Sequence, residues 1–239
     1  MYTRQSSWLI SGLIVSLSIA SITAQSQTRR KVYVPGQRAI VIDERLSVLR
    51  TQPDIKAPML QRLRRGRAIG ILASRKAKDG EMFWRVAVSR NVRGWVLAES
   101  AVKAGSVVDA ERLLTLIEDS DDEFIKARLA KLCADEFRLT IVAPRCLLKL
   151  GETAERVAER LTRDAKRRIG DQEPSAGLNK RAYFLNFVGL DRYNRIGVMF
   201  DYDVVADRIV YDGEAYLSLQ RRYPKSAEAL VLKDKLSRK

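Results

Sequence analysis

The chain of 239 residues is 46% hydrophobic and 31% charged, with 13 Gly and 6 Pro, a balance that folds and leaves little room for long disorder. It contains no His, which removes Ser-His-Asp and Cys-His nucleophile pairs, His-ligated zinc and the HExxH helix, because each needs an imidazole near neutral pH. Its two Cys are too few for a four-thiolate metal site, and a formal net charge of +15 makes an anionic partner the first expectation.

Residues 1–27 hold one charge, Arg4, followed by an apolar, acid-free run from Trp8 to Ala20 and small residues around Ala24. That layout predicts a signal peptide over 1–24 and export, since the run is shorter than the ~20 residues of a spanning helix. An uncleaved anchor is the alternative, and membrane contact is expected only in that case. No Cys lies near the cut, which disfavours a lipid anchor.

Charge divides the rest. Arg29 to Lys103 carries 18 Lys or Arg against 6 Asp or Glu, whereas Ala104 to Lys239 carries 25 against 23. The positive excess therefore belongs to the first segment. A boundary at Ala104-Gly105-Ser106 predicts one domain over 29–104 and a second over 107–239.

The first segment reads as strands: Arg38–Asp43, Ser47–Arg50, Ala68–Ala73, Trp84–Val88 and Gly94–Leu97. Between them lie turn residues, Pro53-Asp54, Arg65-Gly66, Asp79-Gly80 and Asn91 to Gly94. Five short strands in about 65 residues predict a small barrel.

Four motifs carry a family resemblance. Leu49-Arg50-Thr51-Gln52-Pro53, Leu63-Arg64-Arg65-Gly66, Phe83-Trp84-Arg85-Val86 and Arg93-Gly94-Trp95-Val96 resemble, in order and near the same spacing, the motifs of bacterial SH3-like (SH3b) domains over about residues 38–102. The chain departs from that pattern at Thr51-Gln52-Pro53, where Ser-Gly-Pro is usual. The resemblance implies recognition of cell-wall peptidoglycan or peptides, and a protein of the bacterial periplasm or cell envelope.

Such a barrel offers flat aromatic surface from Phe83, Trp84 and Trp95, and carboxylate-pairing guanidinium groups from Arg50, Arg64, Arg65 and Arg93. These seven are the candidate ligand-binding residues. Strand alternation nevertheless places Trp84 with Val86 and Val88 on one face, which favours a core position for Trp84, and Trp95 is open to the same reading.

The second segment reads as helical. Val107–Glu118 is predicted with Asp109 as its N-cap, and Asp122–Leu139 follows with Phe124, Ile125, Leu129, Leu132 and Phe137 at helical intervals. Pro144 is expected to break the run. Glu152–Ile169 has only the narrow stripe Val157, Ala158, Leu161 and Ala165, which predicts a surface helix ending at Gly170. Cys133 and Cys146 flank the break, and an antiparallel helical hairpin in an oxidising compartment would let them join. Without His, a catalytic thiol is disfavoured.

Aromatic residues thicken from Tyr183 to Tyr211, interleaved with Asp191, Asp201, Asp203 and Asp207. Val198–Asp203 and Arg208–Tyr211 predict a β-hairpin whose rings cap a helical core. Asp201 and Asp203 share a strand face, but two carboxylates fall short of a calcium shell. Near the C-terminus, Asp212 to Ala229 resembles a tetratricopeptide-like helix-turn-helix, in which Pro224 ends one helix and Ser226 caps the next, with Tyr216, Leu219, Leu230 and Leu236 expected inside. One unit is not an array. The resemblance implies a protein partner.

The expected fold class is therefore α+β, a small N-terminal SH3-like β-barrel followed by a mainly α-helical domain with a β-hairpin. The expected function is a non-enzymatic exported binding or scaffold protein without metal or cofactor. Its basic barrel would meet peptidoglycan or peptides, and its helical domain a protein partner. The alternative is a carboxylate-dependent cell-wall hydrolase, or its regulatory subunit, using Glu155 with Glu159 or Asp201 with Asp203. Nucleic acid is disfavoured, since helix-turn-helix and RNP patterns are absent.

Overall fold

The computed structural model describes residues 35–170 and 179–237, all within one compact unit, Tyr33–Lys239. The predicted signal peptide lies outside the described residues. The architecture is α+β.

Seven antiparallel strands form one sheet: β1 (Gln37–Val41), β2 (Val48–Arg50), β3 (Met59–Arg62), β4 (Ala68–Lys76), β5 (Met82–Ala87), β6 (Arg93–Leu97) and β7 (Ala101–Lys103). Their spatial order is β3-β2-β6-β5-β4-β1-β7. The predicted closed barrel is not found: β3 and β7 are the two ends of that order, and no pairing among the described residues joins them. Hairpins β4–β5 and β5–β6 form where predicted, because Gly80 supplies φ 94° after Asp79 and Val88 closes a short turn on Val92. The chain's departure at Gln52 carries no strain. Asp207 is the one described non-glycine residue with positive φ, so the Thr51–Pro58 loop closes through ordinary backbone, with Thr51 N donating to the Pro58 carbonyl.

Leu49, Ile69, Trp84, Val86, Val88 and Val96 pack together on the inner face. Gly94 is fixed by contact: an added Cβ would lie 2.7 Å from the Arg50 carbonyl oxygen, so β2 can cross β6 only over a residue without a side chain. In β4 the pairing with β5 runs Gly70 to Ala87 and Ile71 to Val86, then jumps to Ala73 opposite Arg85, leaving Leu72 as a bulge.

Helices α1 (Val107–Asp119) and α2 (Glu123–Glu136) follow. Ser106, not Asp109, caps α1: its hydroxyl accepts from Asp109 N, while the Asp109 carboxylate reaches back to accept from Lys103 N. α3 (Ala143–Gly170) is 28 residues long and begins well before the predicted start. Pro144 lies in its first turn, where no intrahelical N–H is needed, so it opens the helix instead of breaking it. Nor is α3 a surface helix. Val157, Ala158, Leu161 and Ala165 are buried, and its small residues let neighbours approach closely; an added Cβ at Gly151 would meet the Tyr216 ring at 2.1 Å.

Cys133 of α2 and Cys146 of α3 are disulfide-bonded across this antiparallel pair, with Cα atoms 5.4 Å apart. Beyond α3 come α4 (Lys180–Leu185), α5 (Val188–Asn194), the hairpin β8 (Phe200–Asp203) and β9 (Arg208–Tyr211), α6 (Glu214–Arg222) and α7 (Ala227–Ser237). Phe184, Tyr193, Phe200 and Tyr202 enter the helical core, with Phe184 and Tyr202 centroids 4.6 Å apart. Ser226 Oγ accepts from Ala229 N at the start of α7. Of the residues expected between α6 and α7, Tyr216 and Leu219 are buried, whereas Leu230 and Leu236 are exposed; Ala229 and Leu232 face inward in their place, because both helices pack on α3 as well as on each other.

Sheet and helices share a core. Ile40, Ile42 and Val102 pack with Leu113, Leu114, Ile117 and the rest of the helical cluster. Arg38 forks onto Glu136 at 2.8 and 3.0 Å, Arg112 donates to the Ala101 carbonyl, and Arg128 donates to that of Arg65.

Candidate functional site

The register of the sheet builds one site on the face opposite its inner core. Side chains directly opposite in antiparallel strands share a face. Arg50 of β2 lies opposite Trp95 of β6, Trp95 opposite Arg85 of β5, Arg85 opposite Ala73 of β4, and Met59 of β3 opposite Arg50. Two residues along, Arg93 faces Ala87 and Arg75 faces Phe83, which puts both on this side. The result is a half-buried indole in a field of four arginines: Arg75, Arg85 and Arg93 are exposed and Arg50 is partly covered.

Arg50 is the one whose side-chain direction is pinned, Nη1 donating 2.7 Å to the Ala57 carbonyl. Among the described residues no carboxylate comes within ion-pair distance of Arg50, Arg75, Arg85 or Arg93. A guanidinium at such a position keeps its fork of donors for a carboxylate or phosphate, and an indole between two of them offers a flat surface for stacking.

Three predicted site residues therefore come together here: Arg50, Arg93 and Trp95. Phe83, opposite Arg75 and Leu97, lies on the same side of the sheet but is fully buried and presents no surface to a ligand. The other three lie elsewhere. Trp84, 7% exposed, belongs to the inner core, with Lys103 Nζ 5.2 Å from its ring centroid. Arg65 is structural: Nε donates 2.6 Å to the Ile42 carbonyl and its backbone N donates to Glu44. Arg128 beside it is held below the ordinary arginine value, first by burial and then by the charge of Arg65. Arg64 is exposed on the same β3–β4 connection, away from the row. Arg75 and Arg85 were missed because only strand pairing places them, although the Trp-Arg-Val motif contained Arg85.

A second concavity, a cleft of about 650 Å³, lies in the helical region between α3, β9, α6 and α7. Glu152, Glu155 and Glu159 line it together with Arg156, Arg208, Lys235 and the rings of Tyr211 and Tyr216. Glu155 clamps α6 and α7 onto α3, accepting from the Tyr216 hydroxyl at 3.0 Å and from Lys235 Nζ at 2.6 Å. Burial pushes the Tyr211 phenol up to about 12, and burial followed by Glu155 raises Tyr216 as well, so both stay neutral in ordinary solution. The other acid pair is divided. Asp201 accepts from Arg181 at 2.8 Å, whereas Asp203 caps its own turn by accepting from Val205 N and Ala206 N.

Among the described residues no group of three or more His, Cys, Asp or Glu is gathered as a metal ion requires, and no helix is long and apolar enough to cross a membrane. In comparisons with known proteins, the chain matches no protein-family model, no curated protein and no solved structure.

Proposed function

We propose that this is a non-enzymatic binding protein of the bacterial cell envelope. Its sheet, an SH3-like module, holds anionic envelope material, peptidoglycan or its peptides, on the face carrying Arg50, Arg85, Arg93 and Trp95. The observation that carries this reading is the cross-strand row Arg50–Trp95–Arg85, which sets an aromatic surface between guanidinium groups without ion-pair partners among the described residues. The helical region serves to dock a protein partner. Its charges are nearly balanced, 25 Lys or Arg against 23 Asp or Glu, and the tetratricopeptide-like hairpin α6–α7 supports the assignment.

The test is sedimentation of the purified chain with insoluble peptidoglycan. Arg85→Glu with Arg93→Glu is expected to weaken pelleting at low salt by about tenfold. Trp95→Ala is expected to abolish the fraction that survives high salt, and Arg64→Glu, off the row, to leave both unchanged. No pelleting, or equal loss with Arg64→Glu, would defeat the reading.

The hydrolase reading is favoured by one observation, the presence of Glu155 and Glu159 in the same cleft. It is weakened by the engagement of Glu155 with Lys235 and Tyr216. Release of soluble sugar from peptidoglycan that is lost in Glu159→Gln would establish it.

A further inference from the structure

The loop between α2 and α3 holds two aliphatic side chains in water. Leu139 is 92% exposed and Ile141 85%, although the loop itself is firmly built. Phe137 and Val142, fully or almost fully buried, anchor its two ends, and the Thr140 N and Oγ1 both donate to the Phe137 carbonyl, at 2.9 and 2.7 Å. Ala143 N then donates to the Thr140 carbonyl, and the Cys133–Cys146 disulfide ties the helices just beyond. A segment so constrained cannot fold its aliphatic residues away. Their exposure is imposed by the framework, which is how a protein keeps an apolar tip ready for a non-aqueous partner.

The surroundings say which partner. The Tyr223 hydroxyl donates to the Arg138 carbonyl, which brings the α6–α7 turn alongside the tip. Arg138, Arg222 and Lys225 are exposed there, and none has an ion-pair partner among the described residues. Glu136, the acid nearest in sequence, is taken up by Arg38. The molecule also supplies a contrast. The β8–β9 turn exposes Val204 at 72% and Val205 at 98%, but the charge around that tip is mixed: Asp207 lies 3.7 Å from Lys166 and Lys180, and Asp203 is paired opposite Arg208. Aliphatic side chains rimmed by unopposed cations suit the boundary between anionic headgroups and acyl chains, whereas a rim whose cations are already matched to acids has less to offer it.

We propose that the α2–α3 loop is a membrane-contact site, in which Leu139 and Ile141 enter the outer part of an anionic bilayer while Arg138, Arg222 and Lys225 pair with its headgroups. The contact is superficial, reversible and separate from the arginine face of the sheet.

Because the full chain also carries the apolar run Trp8–Ala20, the readout must be local to the loop. Leu139→Trp in the full chain, with the spectrum of the unmodified chain subtracted, is mixed with vesicles of phosphatidylcholine containing about 30% phosphatidylglycerol. Blue-shifted emission and quenching by brominated acyl chains are expected, with a much smaller response on phosphatidylcholine alone. With Leu139→Trp as the reporter, adding Ile141→Ser should cut the quenching of the introduced indole by about threefold or more. Adding Val204→Ser with Val205→Ser should leave the quenching unchanged, and near-identical thermal transitions would show that all variants fold. Emission of the introduced indole that neither shifts nor is quenched overturns the proposal. So does an equal loss of quenching in the β8–β9 variant.

Discussion

The sheet and the helical region treat charge in opposite ways. Between the helices, four cations are matched to acids on neighbouring elements: Arg145 to Glu111, Lys149 to Glu118, Arg160 to Glu123 and Lys235 to Glu155. In the sheet, Arg75, Arg85 and Arg93 stand exposed without such partners among the described residues. Exposed ion pairs contribute only about 0–1 kcal/mol each, so the matching in the helices is less a source of stability than a way of fixing which helix lies beside which. The unmatched arginines cost little where water reaches them, and they leave a lasting potential at the surface. The packed helix faces use charge to assemble, and the open face of the sheet holds it for something else.

The comparison breaks first if the two regions do not melt together. Leu219, fully buried on α6, lies in the cluster that also contains Ile40 and Val102 of the sheet. Leu219→Ala should cost about 2–5 kcal/mol in urea unfolding. The midpoint should fall equally when read from helical circular dichroism and from the fluorescence of Trp84 and Trp95, which lie in the sheet. Separate transitions would mean that each region stands alone. Next, Cys133→Ser with Cys146→Ser should cost about 3 kcal/mol by the loop-entropy estimate for a loop of this size, and the loss should again appear in both signals.

A third expectation concerns alkali and belongs to the helical side. Tyr202, through its hydrogen bond to Asp207, and Tyr211, through burial, are pushed up to about 12 from an ordinary 10.0. Folding therefore holds phenolic protons that the unfolded chain releases. This contribution is complete below pH 10.0 and is lost as pH rises toward about 12. Phenolate absorbance should lag behind that of free tyrosine until the helical signal collapses, and a full phenolate signal in the intact fold would contradict it. The smallest effect on stability belongs to Arg85→Glu with Arg93→Glu, within about 0.5 kcal/mol, despite the loss of peptidoglycan binding expected above. A large destabilisation would show that these side chains serve the fold.

Sequence reading succeeded where local chemistry decides. The β-branched runs at Arg38–Asp43 and Ala68–Ala73, and the turns at Gly66 and Gly80, were legible because few conformations suit them. It failed where partners decide. Met59–Arg62 has neither alternation nor β-branching and becomes a strand only because β2 lies beside it. The burial of α3 was hidden because its inward surface is partly glycine and alanine, whose value lies in close approach instead of in apolar bulk. Leu230 and Leu236 read as core, but the smaller Ala229 and the single Leu232 meet α3 and α6. Of the arginine row, Arg50, Arg93 and Trp95 were legible as candidates and Arg75 and Arg85 were not, because facing is a property of register, and register is written jointly by several strands.

The bulge at Leu72 shows how finely that register is set. Up to it, Ile69 and Ile71 point inward; by simple alternation Ala73 and Arg75 would follow them and drive a guanidinium into the core beside Trp84. One unpaired residue reverses the phase, so that Ser74 meets Trp84 and Arg75 emerges beside Arg85 on the open face. A single strand thus serves as core wall in its first half and as part of a cationic surface in its second. The deletion of one aliphatic residue, remote in kind from any binding chemistry, would exchange the two.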